Sequence, residues 1–282
     1  MQLGVFAKTF PGTDPDTVLT AAAAAGFETV HYNMVCSGLP AMPDAIPPDV
    51  TTEIASAAHG HELSICGVSG TFNMIHPDHR VRRTGLARLG VIAGSARAMG
   101  TNLITLCTGT RDPDDQWRSH PDNASPEAWR DLCAAMAEAV AIAEAHDVVL
   151  GIEPELANVV SSAASARRLI EEIRSDRIRI VVDPANLFDD RTREQQRRIV
   201  SDAIDGLADL IIVAHAKDRG PDGAVTSPGT GLVDFDHYLR ELERIGFTGP
   251  LVAHGFVARE AVTVARFLRR RLGSDRATRL SP

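Results

Sequence analysis

Val148-Val-Leu-Gly-Ile-Glu153, Ile178-Arg-Ile-Val-Val-Asp183, Leu210-Ile-Ile-Val-Ala-His215 and Pro250-Leu-Val-Ala-His254 are four short apolar runs, each ending on a residue able to bind a metal. Each run is strand-length and rich in β-branched residues, and each is followed by a loop and then a helical pattern. In a parallel sheet, side chains at the carboxyl ends of consecutive strands converge on one face. Two carboxylates and two imidazoles therefore meet at one mouth, and the first expectation from this sequence is a metal site.

Working outward, the same alternation runs through the whole chain. Strand-like runs fall near residues 3–7, 28–33, 62–68, 102–108, 148–153, 178–183, 209–215 and 250–254. Helical patterns lie between and after them, near 15–25, 48–60, 78–99, 125–146, 161–174, 193–206, 234–246 and 257–272. Asp14-Pro-Asp and Ser125-Pro-Glu place an N-cap before a proline at the first helical position. Gly26, Gly60, Gly100 and Gly246 follow helical stretches, where a left-handed cap favours glycine. Eight strand–helix units without a break in composition predict a single-domain α/β fold, a closed (β/α)8 TIM barrel over residues 1–272, with a polar tail at 273–282. A doubly wound open sheet is the competing arrangement, but the first turn, Lys8-Thr-Phe-Pro-Gly12, has no nucleotide fingerprint. The chain has no G-x-G-x-x-G, phosphate loop or G-x-S-x-G elbow either.

Composition narrows the function. A net charge of −8 argues against a nucleic-acid partner, and no window is long or apolar enough to cross a membrane. Arginines 80, 82 and 83, and 269, 270 and 271, cluster on helical stretches and read as solvated helix faces. Cys36, Cys66, Cys107 and Cys133 form no C-x-x-C pair and read as buried free thiols. With no basic leader before Leu3, the expectation is a cytoplasmic protein. His59-Gly-His61 lies between a helix and the next strand, at the opposite end of the barrel, and reads as solvated.

The loops after the strands are long, as barrel active-site loops are. They include Ser69-Gly-Thr-Phe-Asn73-Met-Ile-His76, Thr108-Gly-Thr-Arg111 through Trp117, Lys217-Asp218-Arg219 and Pro228-Gly-Thr-Gly231. These stretches and the four strand ends resemble the xylose isomerase-like TIM barrel superfamily, in its sugar phosphate isomerase/epimerase branch. Gly151-Ile-Glu153-Pro-Glu155 resembles the family's strand-five glutamate motif, and Val182-Asp183-Pro-Ala-Asn186 its strand-six aspartate motif. His215-Ala-Lys217-Asp218 matches its H-x-K-D signature. Pro228-Gly-Thr-Gly231, with Val233-Asp-Phe and Gly246-Phe-Thr-Gly-Pro250, is similar to the stretch leading into strand eight.

The resemblance implies that Glu153, Asp183 and His215 bind a divalent metal. Ketose 3-epimerases of this branch complete the set with a strand-eight glutamate, which also pairs with the strand-five one as the second acid/base. Here His254 stands at that position, and Asn186 stands where a histidine commonly follows the strand-six aspartate.

Glu, Asp and two His suit Mn²⁺, Co²⁺, Fe²⁺ or Zn²⁺, with Mg²⁺ held more weakly. The chemistry that follows is removal of a proton beside a metal-polarised carbonyl, with Glu153 as base and Glu155 in reserve, and His254 returning the proton. Lys217 meets an anionic group or the enediolate, or else pairs with Asp218. Asn33, Asn73, Glu155, Asn186, Arg219 and Trp117 are the candidate sugar contacts. Asn33 and Asn73 read almost equally well as turn formers, and Gly229-Thr-Gly231 reads as a glycine-rich turn before it reads as a phosphate site.

The expected activity is isomerisation or epimerisation of a ketose or keto-polyol. Dehydration of a keto-inositol or 3-keto-sugar is the alternative, and a non-catalytic or partner-dependent sugar-binding barrel is another. Barrels of this branch often associate, which leaves a homo-oligomer open for each reading. DNA repair, as in the related apurinic endonucleases, needs more histidines and a basic groove.

Overall fold

A computed structural model of the chain describes residues 1–189 and 191–278, with backbone alone from Ser274 onward. Eight parallel strands close into a barrel: β1 (Gln2–Phe6), β2 (Thr29–Tyr32), β3 (Ser64–Ser69), β4 (Leu103–Cys107), β5 (Val149–Glu153), β6 (Ile178–Val182), β7 (Ile211–Ala216) and β10 (Pro250–Ala253). Between β7 and β10 a small antiparallel pair, β8 (Asp218–Arg219) and β9 (Val225–Thr226), stands above the barrel mouth. The helices are α1 (Pro15–Ala24), α2 (Pro48–Gly60), α3 (His79–Ala96), α4 (Pro126–His146), α5 (Ala163–Ile173), α6 (Arg193–Leu207), α7 (Phe235–Arg244) and α8 (Ala261–Thr278). The barrel and its strand and helix spans follow the alternation in the sequence closely. The expected tail begins inside α8, while residues 279–282 lie outside the described residues. Among the described residues no helix is long and apolar enough to cross a membrane.

Local chemistry fixes the helix starts. The Asp14 carboxylate accepts the Thr17 amide N–H at 2.8 Å, and the Ser125 hydroxyl accepts that of Ala128 at 3.1 Å, each ahead of a proline at the first helical position. These caps satisfy amide groups that have no partner within the helix.

Two apolar layers support the site. One lies between barrel and helices, and the other fills the barrel interior with Leu103, Val181, Val213 and Val252 from β4, β6, β7 and β10. The interior is therefore packed, and the carboxylates, imidazoles and ammonium of the site collect above it, at the carboxyl ends of the strands. Register does the rest. Cys107 pairs with Glu153, and His215 pairs with Val252, two residues before His254.

Candidate active site

Glu153 is the last residue of β5, Asp183 the first after β6, His215 lies in the last turn of pleat of β7, and His254 follows β10. One potential ligand atom from each lies within 4.8 Å of all the others. His254 Nε2 is 3.1 Å from Asp183 Oδ2, and His215 Nδ1 is 3.2 Å from Glu153 Oε1 and 3.7 Å from Asp183 Oδ2. A tetrahedral ion with bonds of about 2.1 Å separates its ligand atoms by about 3.4 Å. The spacing and the donor chemistry both fit a divalent ion.

Asp183 serves two purposes. Its Oδ1 accepts the Ala185 N–H at 2.9 Å, capping the short turn Pro184–Asn186, while Oδ2 faces the two imidazoles. A capping role and a site role are thus divided between its two oxygens.

Electrostatics follow from burial and proximity. Burial opposes ionisation of Glu153 and Asp183, yet His215, Lys217 and, for Asp183, His254 hold both carboxyls below their ordinary values. Burial would lower His215, but the Glu153 and Asp183 carboxylates raise it to about 9. His254 is pushed down by burial and by the His215 charge, against the pull of Asp183, so it stays neutral. Glu155 is raised to about 7, by burial and by Glu153 and Asp183, with Lys217 pulling the other way.

Lys217 does not pair with Asp218. Its Nζ donates to Asn186 Oδ1 at 2.5 Å and lies 3.4 Å from Asp183 Oδ2 and 3.6 Å from Glu155 Oε1, and these carboxylates keep it charged despite burial. Asn186 in turn donates from Nδ2 to Glu153 Oε1 at 2.8 Å, so one amide orients both a carboxylate and an ammonium. Asp218 instead accepts the backbone N–H groups of Gly229, Gly231 and Val233. Gly229-Thr-Gly231 is therefore a turn whose amides are already taken.

Glu153, His215 and His254 line a cavity of about 680 Å³, with Asp183 buried behind them, and Glu155, Asn186, Arg219 and Trp117 also line it. Arg219 is fixed by bonds to the carbonyls of Ala185 and Gly223. Two candidate sugar contacts stand elsewhere. Asn33 is buried with its Oδ1 accepting the Val35 N–H, closing a turn after β2. Asn73 accepts the Thr110 N–H and donates to the Thr110 and Asp112 carbonyls, bracing the loop after β4. Both are turn formers here because a short amide satisfies nearby backbone better than it reaches across a cavity. Arg82, expected on a solvated face, is buried, 3.0 Å from Asp131 and donating to the His76 carbonyl.

The cavity also contains residues the sequence reading passed over. His31, in β2, stacks on Phe6 with ring centroids 4.6 Å apart, and its Nε2 lies 2.8 Å from Thr105 Oγ1. Burial, with the nearby positive charges, keeps it neutral, and its Nδ1 has no hydrogen-bond partner among the described residues. The signal was its period-two position: Thr29 and His31 share a strand face. Cys107 lines the wall beside Glu153, and Val225 brings the β8–β9 hairpin over the cavity.

Solved structures of similar fold include L-ribulose 3-epimerase (18% identity, TM-score 0.77, covering 100% of this chain and 99% of that one). Another is the 3-keto-D-glucoside 4-epimerase of E. coli (16% identity, TM-score 0.75, 96% and 99%). A third is the IolI protein with a bound zinc atom (15% identity, TM-score 0.73, 97% and 99%). No curated protein sequence matches the chain. The model of the xylose isomerase-like TIM barrel family matches residues 19–271, and the chain belongs to that family.

Proposed function

We propose that the chain is a divalent-metal-dependent sugar isomerase or epimerase acting on a ketose or keto-polyol through an enediolate. The observation that carries this reading is the convergence of Glu153, Asp183, His215 and His254, three of which line a sugar-sized cavity with Asp183 buried behind them. These four residues would hold Mn²⁺, Co²⁺, Fe²⁺, Zn²⁺ or Mg²⁺. When bound, such an ion polarises a substrate carbonyl and acidifies the adjacent C–H.

The remaining work falls to side chains. Glu153, ionised and held by Asn186, is assigned as the group that accepts the carbon-bound proton. Lys217, charged and held among Asn186, Asp183 and Glu155, stabilises the developing oxyanion. His254, neutral, is left as a ligand, since giving up its one N–H would leave an imidazolate. Glu155, raised to about 7 and lining the same cavity, is assigned to return a proton to carbon while Glu153 releases its own to solvent. Asn186, Arg219 and Trp117 remain as substrate contacts because they line the cavity. Asn33 and Asn73 do not line this cavity.

The test is solvent exchange. Incubating the metal-loaded protein in D₂O with a panel of ketoses and keto-polyols should incorporate deuterium at the carbon beside the carbonyl of at least one. Glu153→Gln should abolish that incorporation. Metal-loaded protein that incorporates no deuterium into any member would remove the enediolate from the account.

A further inference from the structure

A second recess of about 800 Å³ opens outside the inner cavity, and the two share Thr71 and Trp117 as a common wall. The outer recess lies between Met42, Phe72, the first turns of α3 at Val81 and Thr84, and the loop 112–117. The inner cavity, about 680 Å³, already falls within the range of about 300–1,000 Å³ typical of a pocket for one small molecule. A lone ketose has no use for the second space.

The recess is built rather than left over. Asp112 accepts the N–H groups of Asp114 and Asp115, each at 2.9 Å, and is paired with Arg118. Asp115 Oδ1 accepts the Trp117 N–H at 2.9 Å, and Asn73 ties the start of this loop to the one after β3. These bonds fix the backbone that presents Trp117. Across the recess, Gly85 lets α3 press against the Phe72 ring, since a Cβ there would fall inside the ring's van der Waals shell. The apolar surfaces facing this space include Trp117, 51% exposed, and Val81, 42% exposed, among few large hydrophobic side chains left open. Around them stand polar groups with spare capacity, among them Asp114 and Gln116. An indole face with hydrogen-bonding groups at its rim matches a pyranose ring, which offers an apolar C–H face and equatorial hydroxyls.

We propose that the outer recess is a subsite for a second sugar ring, so that the substrate is a keto-disaccharide with its reacting ring in the inner cavity. This rests on the reading of the inner cavity as the reaction site. The second ring passes Trp117 and packs between it and α3.

Two sugar pairs, each identical in the first ring, test the idea. Calorimetry compares maltose with methyl glucoside, neither of which carries a 3-keto group, and initial rates compare 3-keto-maltose with 3-keto-methyl glucoside. Maltose should bind at least tenfold tighter than methyl glucoside, and Thr84→Trp, an exposed helix position, should bring that ratio below threefold. Trp117→Ala should do the same. Where catalysis is seen, the ratio of kcat/KM between the two keto sugars should follow the binding ratio. Equal or undetectable binding of both sugars overturns the subsite, as does a preference that survives Thr84→Trp. A binding preference with both keto sugars inert keeps the subsite and removes the reaction; exchange without any preference does the reverse.

Discussion

Replacing Asp218 with alanine should cost stability rather than chemistry. The carboxylate is fully buried; its Oδ1 accepts the N–H groups of Arg219 and Val233, and its Oδ2 those of Gly229 and Gly231, all at 2.8–2.9 Å. Summed at about 1.5–3 kcal/mol per hydrogen bond to a charged group, the four would give about 6–12 kcal/mol, which overstates the loss. Gly229 is exposed and Gly231 half-exposed, so a small shift lets water take over their amides. Val233 is buried and its amide is left without a partner, a loss of about 1–3 kcal/mol. With about 1 kcal/mol for each of the three groups that water can reach, those of Arg219, Gly229 and Gly231, Asp218→Ala should destabilise by about 4–6 kcal/mol. Urea unfolding gives the magnitude, and amide exchange locates it, with protection falling first at residues 219 and 229–233. A double-mutant cycle with Lys217→Met should give a coupling under about 0.5 kcal/mol, because Lys217 is bonded elsewhere. A loss below about 1 kcal/mol, or strong coupling to Lys217, would refute the assignment of Asp218 as the anchor of this loop.

Other expectations follow from single contacts. Gly109 sits at φ +81° with Asn73 Oδ1 against the place a Cβ would occupy, so Gly109→Ala should lower stability by about 2–4 kcal/mol in urea melts. Burial works against ionisation of Asp234, but Arg197, the His237 N–H and Arg193 hold it at about 2. Its contribution of about 1–2 kcal/mol is fully present above the unfolded value near 4 and is lost as pH falls towards 2. Asp234→Asn should remove it at neutral pH and flatten the stability profile between about pH 4 and 2. Arg82→Ala breaks a buried pair with the partly exposed Asp131 and should cost about 1–3 kcal/mol, whereas Arg80→Ala, whose guanidinium is solvated, should cost under about 0.5 kcal/mol.

The barrel was legible in the sequence because its strands are uniform and short, and because proline, serine and glycine mark the helix ends. The four convergent residues were legible for the same reason: each terminates an apolar run, and parallel topology brings such ends together. What failed was the fate of side chains in loops. Asn33 and Asn73 read as sugar contacts or as turn formers, and the pull of nearby backbone amides, which pattern does not reveal, ties both into loop backbone outside the inner cavity. Lys217 and Asp218 are adjacent yet point to different partners, since alternate residues at a strand end face opposite sides. His31 escaped notice because its run does not end on it; only its strand face puts it in the cavity.

The central claim is that Glu153, Asp183, His215 and His254 form one metal site, and metal stoichiometry tests it most directly. Plasma mass spectrometry on the purified and reconstituted chain should find about one divalent ion per molecule, a single centre of the kind such a donor set builds. That ion should be lost in both Asp183→Ala and His254→Ala, provided circular dichroism shows each variant folded. An ion retained in folded Asp183→Ala, or none bound by the reconstituted wild type, would contradict the account.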